Sequence, residues 1–227
     1  FRVSAINSAG TSTPSTASAS VLIATVPGAP TSLSTTAGNS RVDLAWTAPA
    51  SNGGAAISDY LVEYNSGSGW TTFVRSASTA TSVRVTGLTN GTSYSFRVSA
   101  VNEVGTGTTS TATSSVLVAT APGSPTSLSG AGGVDFVDLT WSAPASNGGS
   151  PITDYVVEYS TGSSWTTYVR TASTATSVRV PSLTTGTNYT FRVSAKNLFG
   201  TSDPVATSSS VLVAGSPASP ELTTTLA

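Results

Sequence analysis

The chain repeats itself at a fixed distance of 95 residues, and that period limits its fold more than any other feature. Phe1-Arg2-Val3-Ser4-Ala5 returns at Phe96 and again at Phe191. Trp46 returns at Trp141, Tyr64 at Tyr159 and Pro27 at Pro122. Residues 27–121 and 122–216 agree at 60 of 95 positions with no insertion between them. A solenoid unit takes roughly 20–45 residues, far fewer than this period. A segment of this length can instead bury enough surface to fold as one small domain. Residues 1–26 match only the last quarter of a unit, and residues 217–227 match only its first positions. The sequence is therefore expected to be a window on a longer array that continues at both ends.

Inside each unit the apolar residues alternate, as in half-buried strands. Val42, Leu44 and Trp46 alternate with Asp43 and Ala45, and Tyr60, Val62 and Tyr64 alternate with Leu61 and Glu63. Tyr94, Phe96, Val98 and Ala100 alternate with Ser95, Arg97 and Ser99. One parity should face a core and the other solvent. Turn residues at 49–54, 65–69, 90–91 and 105–107 separate the runs, and helical spacing is absent. Short strands with regular turns predict two packed antiparallel sheets.

The expected core residues are Trp46, Tyr60, Tyr64, Leu88, Tyr94 and Phe96, with Trp141, Tyr155, Tyr159, Leu183, Tyr189 and Phe191 one period later. Several motifs recur with them. Trp46 is soon followed by Ala48-Pro49, then come Asn52-Gly53-Gly54 and the run 57–64, and Leu88 to Tyr94 leads into Phe96 to Asn102. In these motifs the chain resembles tandem fibronectin type III domains of bacterial style. The resemblance covers nearly the whole chain. It implies an all-β fold of seven-stranded, immunoglobulin-like sandwiches, strands A, B and E facing C, C′, F and G. In the first whole unit these are expected near 30–37, 40–47, 81–86, 57–65, 70–75, 93–101 and 112–119. The implied organisation is a partial module at 1–26 (strands F and G), whole modules at 27–121 and 122–216, and the start of another at 217–227. It also implies a tyrosine corner, with the Tyr94 and Tyr189 hydroxyls meeting nearby backbone.

Composition narrows the chemistry. The chain has no Cys, His or Met, which excludes disulfides, thiolate metal sites and histidine triads. Eight scattered arginines and Lys196 make no basic footprint, so nucleic acid is not an expected partner. No apolar run reaches the roughly 18 residues of a membrane-spanning helix. Asp59 and Glu63, the best carboxylate pair, share a strand face about 13 Å apart, beyond the roughly 5–9.5 Å of glycosidase pairs. Glu63 is expected to pair with Arg97 across strands, and Asp43 with Arg84. Asn52-Gly53-Gly54 leads into a strand and not a helix, so it reads as a flexible turn and not a phosphate loop. No catalytic residue, cofactor or metal is expected.

Three aromatic residues stand out as candidate surface contacts. Trp70 and Trp165 open the C′ strands, where an indole either stacks on a sugar or covers the sandwich rim. Phe199 lies in the F–G connection. The junctions Ala24 to Pro30 and Ala119 to Pro125 each bracket one glycine with two prolines, which predicts modules strung end to end with little slack. Ser and Thr fill 80 of 227 positions, a neutral hydroxyl surface suited to packing or to exposed strand faces. The function these features imply is a non-catalytic structural, spacer or adhesive array of a bacterial extracellular, cell-surface or filament protein. Its expected partners are neighbouring modules, other subunits of a fibre or surface layer, and polysaccharide. Two alternatives stay open: a phage virion appendage, and an ancillary spacer in a secreted polysaccharide-degrading enzyme.

Overall fold

The computed structural model describes residues 1–21 and 23–215. The expected module start at 217–227 lies outside the described residues. Near the N terminus, β1 (Ile6–Asn7) and β2 (Gly10–Thr11) form an antiparallel hairpin. The first whole repeat contains β3 (Thr31–Gly38), β4 (Arg41–Thr47), β5 (Asp59–Asn65), β6 (Trp70–Thr72), β7 (Ser82–Thr86), β8 (Ser93–Asn102), β9 (Gly105–Thr109) and β10 (Val116–Leu117). The second contains β11 (Thr126–Gly132), β12 (Val137–Ser142), β13 (Asp154–Ser160), β14 (Thr166–Thr167), β15 (Ser177–Val180), β16 (Asn188–Asn197), β17 (Gly200–Thr201), β18 (Val205–Ala206) and β19 (Val211–Leu212).

In the first repeat one sheet runs β3-β4-β7 and the other β10-β8-β5-β6, with β9 also on β8. The second repeat has the same plan: β11-β12-β15 against β14-β13-β16-β17, with β18 and β19 also on β16. The two-residue side-chain period sets the register. Tyr60 lies opposite Ala100, Val62 opposite Val98 and Tyr64 opposite Phe96. One repeat later, Tyr155 lies opposite Ala195, Val157 opposite Val193 and Tyr159 opposite Phe191. A slip by one residue would turn every one of these side chains to the other face.

The inward residues bury between the sheets. Phe96, Phe191, Val42 and Val137 are fully covered, and Trp46, Trp141, Tyr60, Tyr155, Leu88, Leu183, Tyr94 and Tyr189 are buried. Trp46 meets Tyr60 edge-on at 5.2 Å, and Trp141 meets Tyr155 in the same way at 5.2 Å, so each pair joins one sheet to the other. Burying one such large side chain stabilises the fold by about 1.5–3 kcal/mol. Tyr64 and Tyr159 differ from the expectation, being half-buried. They sit where the C strand runs out toward its turn, and Tyr159 packs against the core from its border while meeting Tyr189 edge-on at 5.9 Å.

The segment expected to be strand G at 112–119 differs most. It forms a strand only at Val116–Leu117. Before that, hydroxyls take the place of carbonyls as partners of strand F. Val98 N–H donates to Ser110 Oγ at 3.0 Å and Phe96 N–H to Thr113 Oγ1 at 3.0 Å. The backbone N–H groups of Ser110 and Thr113 return to the Val98 and Phe96 carbonyls. Contacts thus advance by three residues along one chain and by two along the other, which satisfies the buried backbone without a regular ladder. The N-terminal segment shows the same pattern, Val3 N–H donating to Ser15 Oγ and Ala5 N–H to Ser12 Oγ.

Candidate functional site

Trp70 and Trp165, the candidate stacking residues, are each covered on one ring face. The Arg97 guanidinium lies 4.2 Å from the Trp70 ring centre and that of Arg192 lies 4.3 Å from Trp165. In the register β5 pairs Glu63 with Thr72 on one side and with Arg97 on the other, while Trp70 lies opposite Asn65, two residues from Thr72 and so on the same sheet face, within diagonal reach of the Glu63–Arg97 pair. Arg97 holds Glu63 bidentately at 2.8 and 3.1 Å, and Arg192 holds Glu158 at 2.7 and 3.0 Å. The hydrogen bond to Glu158 also raises the Arg192 pKa above its usual value. Each guanidinium therefore satisfies a carboxylate and a π-face together, an interaction of about 0.5–1 kcal/mol per contact at a partly exposed site. Trp165 keeps 38% of its surface exposed, while Trp70 is half-buried.

The pairs on the opposite sheet are more exposed. Arg84 reaches Asp43 at 2.6 and 3.3 Å, and Arg179 reaches Asp138 at 2.8 and 2.7 Å. These hydrogen bonds hold both carboxyl groups below the usual carboxylate range, against a smaller opposing effect of desolvation. Their charges are engaged with each other across strands.

Asp59 has a role that alternation alone hides. Its Oδ1 accepts Arg75 Nη2 at 2.9 Å and the Ser78 N–H at 2.9 Å, while Arg75 also donates to the carbonyls of Tyr60 and Ser76. Asp154, Arg170 and Ser173 repeat the arrangement at 3.1 and 2.9 Å. This anchor pins the irregular segment after C′ and accounts for β6 ending at Thr72 when the sequence predicts strand to 75. The signal was present: the spacings of 16 and 19 residues recur unchanged in both copies.

At the E–F corner, the Thr89 N–H donates to the Tyr94 hydroxyl oxygen at 3.1 Å and the Thr184 N–H to that of Tyr189 at 3.1 Å. The phenol oxygen is the acceptor of this bond. Phe199 is 39% exposed beside Leu198, which is 83% exposed, and its N–H donates to Asn197 Oδ1 at 2.8 Å. Among the described residues no three His, Cys, Asp or Glu side chains gather as metal ligands, and no helix is long and apolar enough to cross a membrane.

Two antiparallel sheets, a Trp–Tyr pair between them and a tyrosine at the E–F corner define a tandem β-sandwich protein of immunoglobulin-like class. The Fibronectin type III domain profile matches residues 28–116 and 121–211, and the chain belongs to that family. It is 34% identical to "Titin" of Drosophila melanogaster over 224 residues, covering 92% of this chain and 1% of that protein. It is 31% identical to "Myomesin-2" of Homo sapiens over 235 residues, covering 98% of this chain and 16% of that protein. It is 33% identical to "Chitinase A1" of Niallia circulans over 214 residues, covering 86% of this chain and 28% of that protein. The chain thus spans less than a third of each of these three relatives. Among solved structures, the crystal structure of chicken CNTN1 FN1-FN3 domains aligns with a TM-score of 0.43 at 21% identity, over 83% of this chain and 67% of that one.

Proposed function

We propose that the chain is a non-catalytic structural spacer of an extracellular or cell-surface protein, built from modules bounded at 1–26, 27–121 and 122–216. The observation that carries this reading is where the ionisable side chains go. Asp43, Glu63, Asp59 and their counterparts Asp138, Glu158 and Asp154 each engage an arginine that ties one strand or loop to another. Groups held in this way fix the scaffold twice over at the same positions. The three named relatives support the reading, because the matched stretch is a minor share of each and their names differ widely. The segment 1–26, which contains the β1–β2 hairpin, is read as strands F and G of a further module, since Ile6 lies opposite Thr11 as Val101 lies opposite Thr106. Its neighbours in such an array are other modules of this kind and, in a fibre or surface layer, other subunits.

The match to a protein named as a chitinase favours a second, narrower reading: a spacer within a secreted polysaccharide-degrading enzyme. The guanidinium over one face of each indole leaves only the other face of Trp70 and Trp165 for a sugar, which supports spacing as the main role in that setting. Replacing residues 27–216 in the parent protein by two unrelated sandwich domains tests the proposal. A spacer predicts that the attached domains keep their activity and binding, whereas an adhesive or sugar-binding role predicts loss of binding. Unchanged Trp fluorescence on titration with soluble chitin oligosaccharides is the matching expectation for Trp70 and Trp165.

A further inference from the structure

Asn102 and Asn197 are buried side chains in the F–G connections, 4% and 2% exposed, and both use their whole amide. Asn102 Oδ1 accepts the N–H groups of Val104 at 2.9 Å and Gly105 at 3.1 Å, which shapes its own turn. Its Nδ2 donates to the carbonyl of Thr25 at 2.7 Å and that of Asn52 at 2.9 Å. Asn197 does the same with Phe199 and Gly200 on one side and Thr120 and Asn147, each at 2.8 Å, on the other. One amide therefore joins three segments: the F–G turn, the B–C loop and the proline-bracketed junction. Thr25, Asn52 and Asn102 lie in one compact unit of the chain, and Thr120, Asn147 and Asn197 lie in the other.

The B–C loop is shaped to receive the junction. Thr25 N–H donates to the Gly53 carbonyl at 2.8 Å and Gly28 N–H to that of Ser51 at 2.9 Å; Thr120 with Gly148 and Gly123 with Ser146 repeat both bonds at 2.9 Å. A Cβ on Gly53 would stand 2.1 Å from the Thr25 carbonyl oxygen, and one on Gly148 would stand 2.2 Å from that of Thr120. Both glycines also have positive φ, 74° and 72°. Asn52-Gly53-Gly54, expected from the sequence to be a flexible turn, is instead a packed cradle that a side chain would fill. In the N-terminal hairpin the acceptor half forms by itself, Asn7 Oδ1 taking the Ala9 N–H at 2.8 Å. The turn and the strap are therefore separable functions of one residue.

We propose that Asn102 and Asn197 are clamps that fold each junction, Ala24–Pro27 and Ala119–Pro122, into the sandwich that follows it. The junction is then a strap of the following module and not a free linker, and the folded start of each module moves upstream of the repeat boundaries at 27 and 122, to Ala24 and Ala119. Removing the two Nδ2 donors would leave the carbonyls of Thr25 and Asn52, or of Thr120 and Asn147, without these partners in a part-buried site.

Amide hydrogen exchange on the whole chain, read residue by residue by NMR, tests the clamp. In the native protein the Thr25 and Thr120 amides should exchange at least about 100-fold more slowly than free loop amides. Asn102→Asp keeps the oxygen that holds Val104 and Gly105 but removes the two donors and sets a carboxylate against two carbonyls. It should speed exchange at Thr25 by about tenfold or more. Thr120 and the cross-strand amides of Phe73 and Tyr168 should stay as they were. Asn197→Asp should do the reverse, and Gly148→Ala should free Thr120 with Asn197 intact. Free exchange of Thr25 and Thr120 in the native chain would overturn the clamp. So would an equal rise at all amides in the variants, since that would make both asparagines general stabilisers. Should the Asp variants not fold, the native rates and Gly148→Ala decide.

Discussion

At the turn after its first strand, the first whole repeat carries Asn39, Ser40 and Arg41 where the second carries Val134, Asp135 and Phe136. The first closes this end with amides. Asn90 Nδ2 donates to Asn39 Oδ1 at 2.7 Å, and Ser40 N–H donates to Asn90 Oδ1 at 2.9 Å. The second has Thr185 in place of Asn90 and closes the same end with a ring and a backbone bridge. The Arg179 guanidinium lies 3.7 Å from the Phe136 ring centre, and Val134 pairs in parallel with Ala214. That approach is close because Gly130 and Gly132 replace Thr35 and Ala37: a Cβ on Gly132 would stand 1.9 Å from the Leu212 carbonyl oxygen. Phe96 and Phe191 remain fully covered throughout. The lesson is that the core fixes the topology, while an end of the sandwich accepts chemically different closures as long as the backbone groups find partners.

The difference can be broken most forcefully at Gly132. Gly132→Ala should destabilise the second repeat by about 2–3 kcal/mol through overpacking, whereas Ala37→Gly in the first should cost no more than about 1 kcal/mol. Urea unfolding of the whole chain, followed by NMR signals from each repeat, separates the two. Next in size is Asn90→Ala. It leaves the Ser40 N–H without its acceptor and should cost the first repeat about 1–2 kcal/mol. Thr185→Ala at the matching place should be near neutral.

A smaller effect sharpens the contrast at the E–F turn, where Gly87 has φ 76° and Ser182 has φ 60°. Both backbones are left-handed, but only the first residue lacks a Cβ. Ser182→Gly should therefore stabilise the second repeat by roughly 0.5–1 kcal/mol, seen as a higher Tm, and Gly87→Ser should lower that of the first by a similar amount. The smallest expected effect is common to both repeats. The Asp43 and Asp138 carboxyls are held below their usual range by Arg84 and Arg179. Because the folded pKa is depressed, their contribution is present above the unfolded value near 4 and is lost as pH falls through the folded value. Asp43→Asn and Asp138→Asn should each flatten the dependence of stability on pH below that point, as measured by thermal melts in an acid series.

The parts legible in the sequence were those with a two-residue period. The runs 42–46, 60–64 and 94–100 are strands because their alternation is unbroken and their ends carry turn residues. Glu63 with Arg97 and Asp43 with Arg84 followed from the same parity. Three features escaped it. Strand G of the first repeat is held by hydroxyls at three-residue spacing, a pattern that hides in a Ser/Thr-rich tract. The first strand of each repeat bends at Ser32 and Ser127, which take φ of 53° and 55°, and serine gives no local sign of a left-handed backbone. The Asp59–Arg75–Ser78 anchor and the Asn102 clamp are polar contacts across 16 to 77 residues, where no local period reports them.

Inter-residue NOEs measured on the intact chain test the account most directly. They should place the Trp46 ring on Tyr60, the Trp141 ring on Tyr155, and Tyr60 and Tyr155 across from Ala100 and Ala195. Contacts displaced by one residue, or present in only one of the two copies, would contradict it.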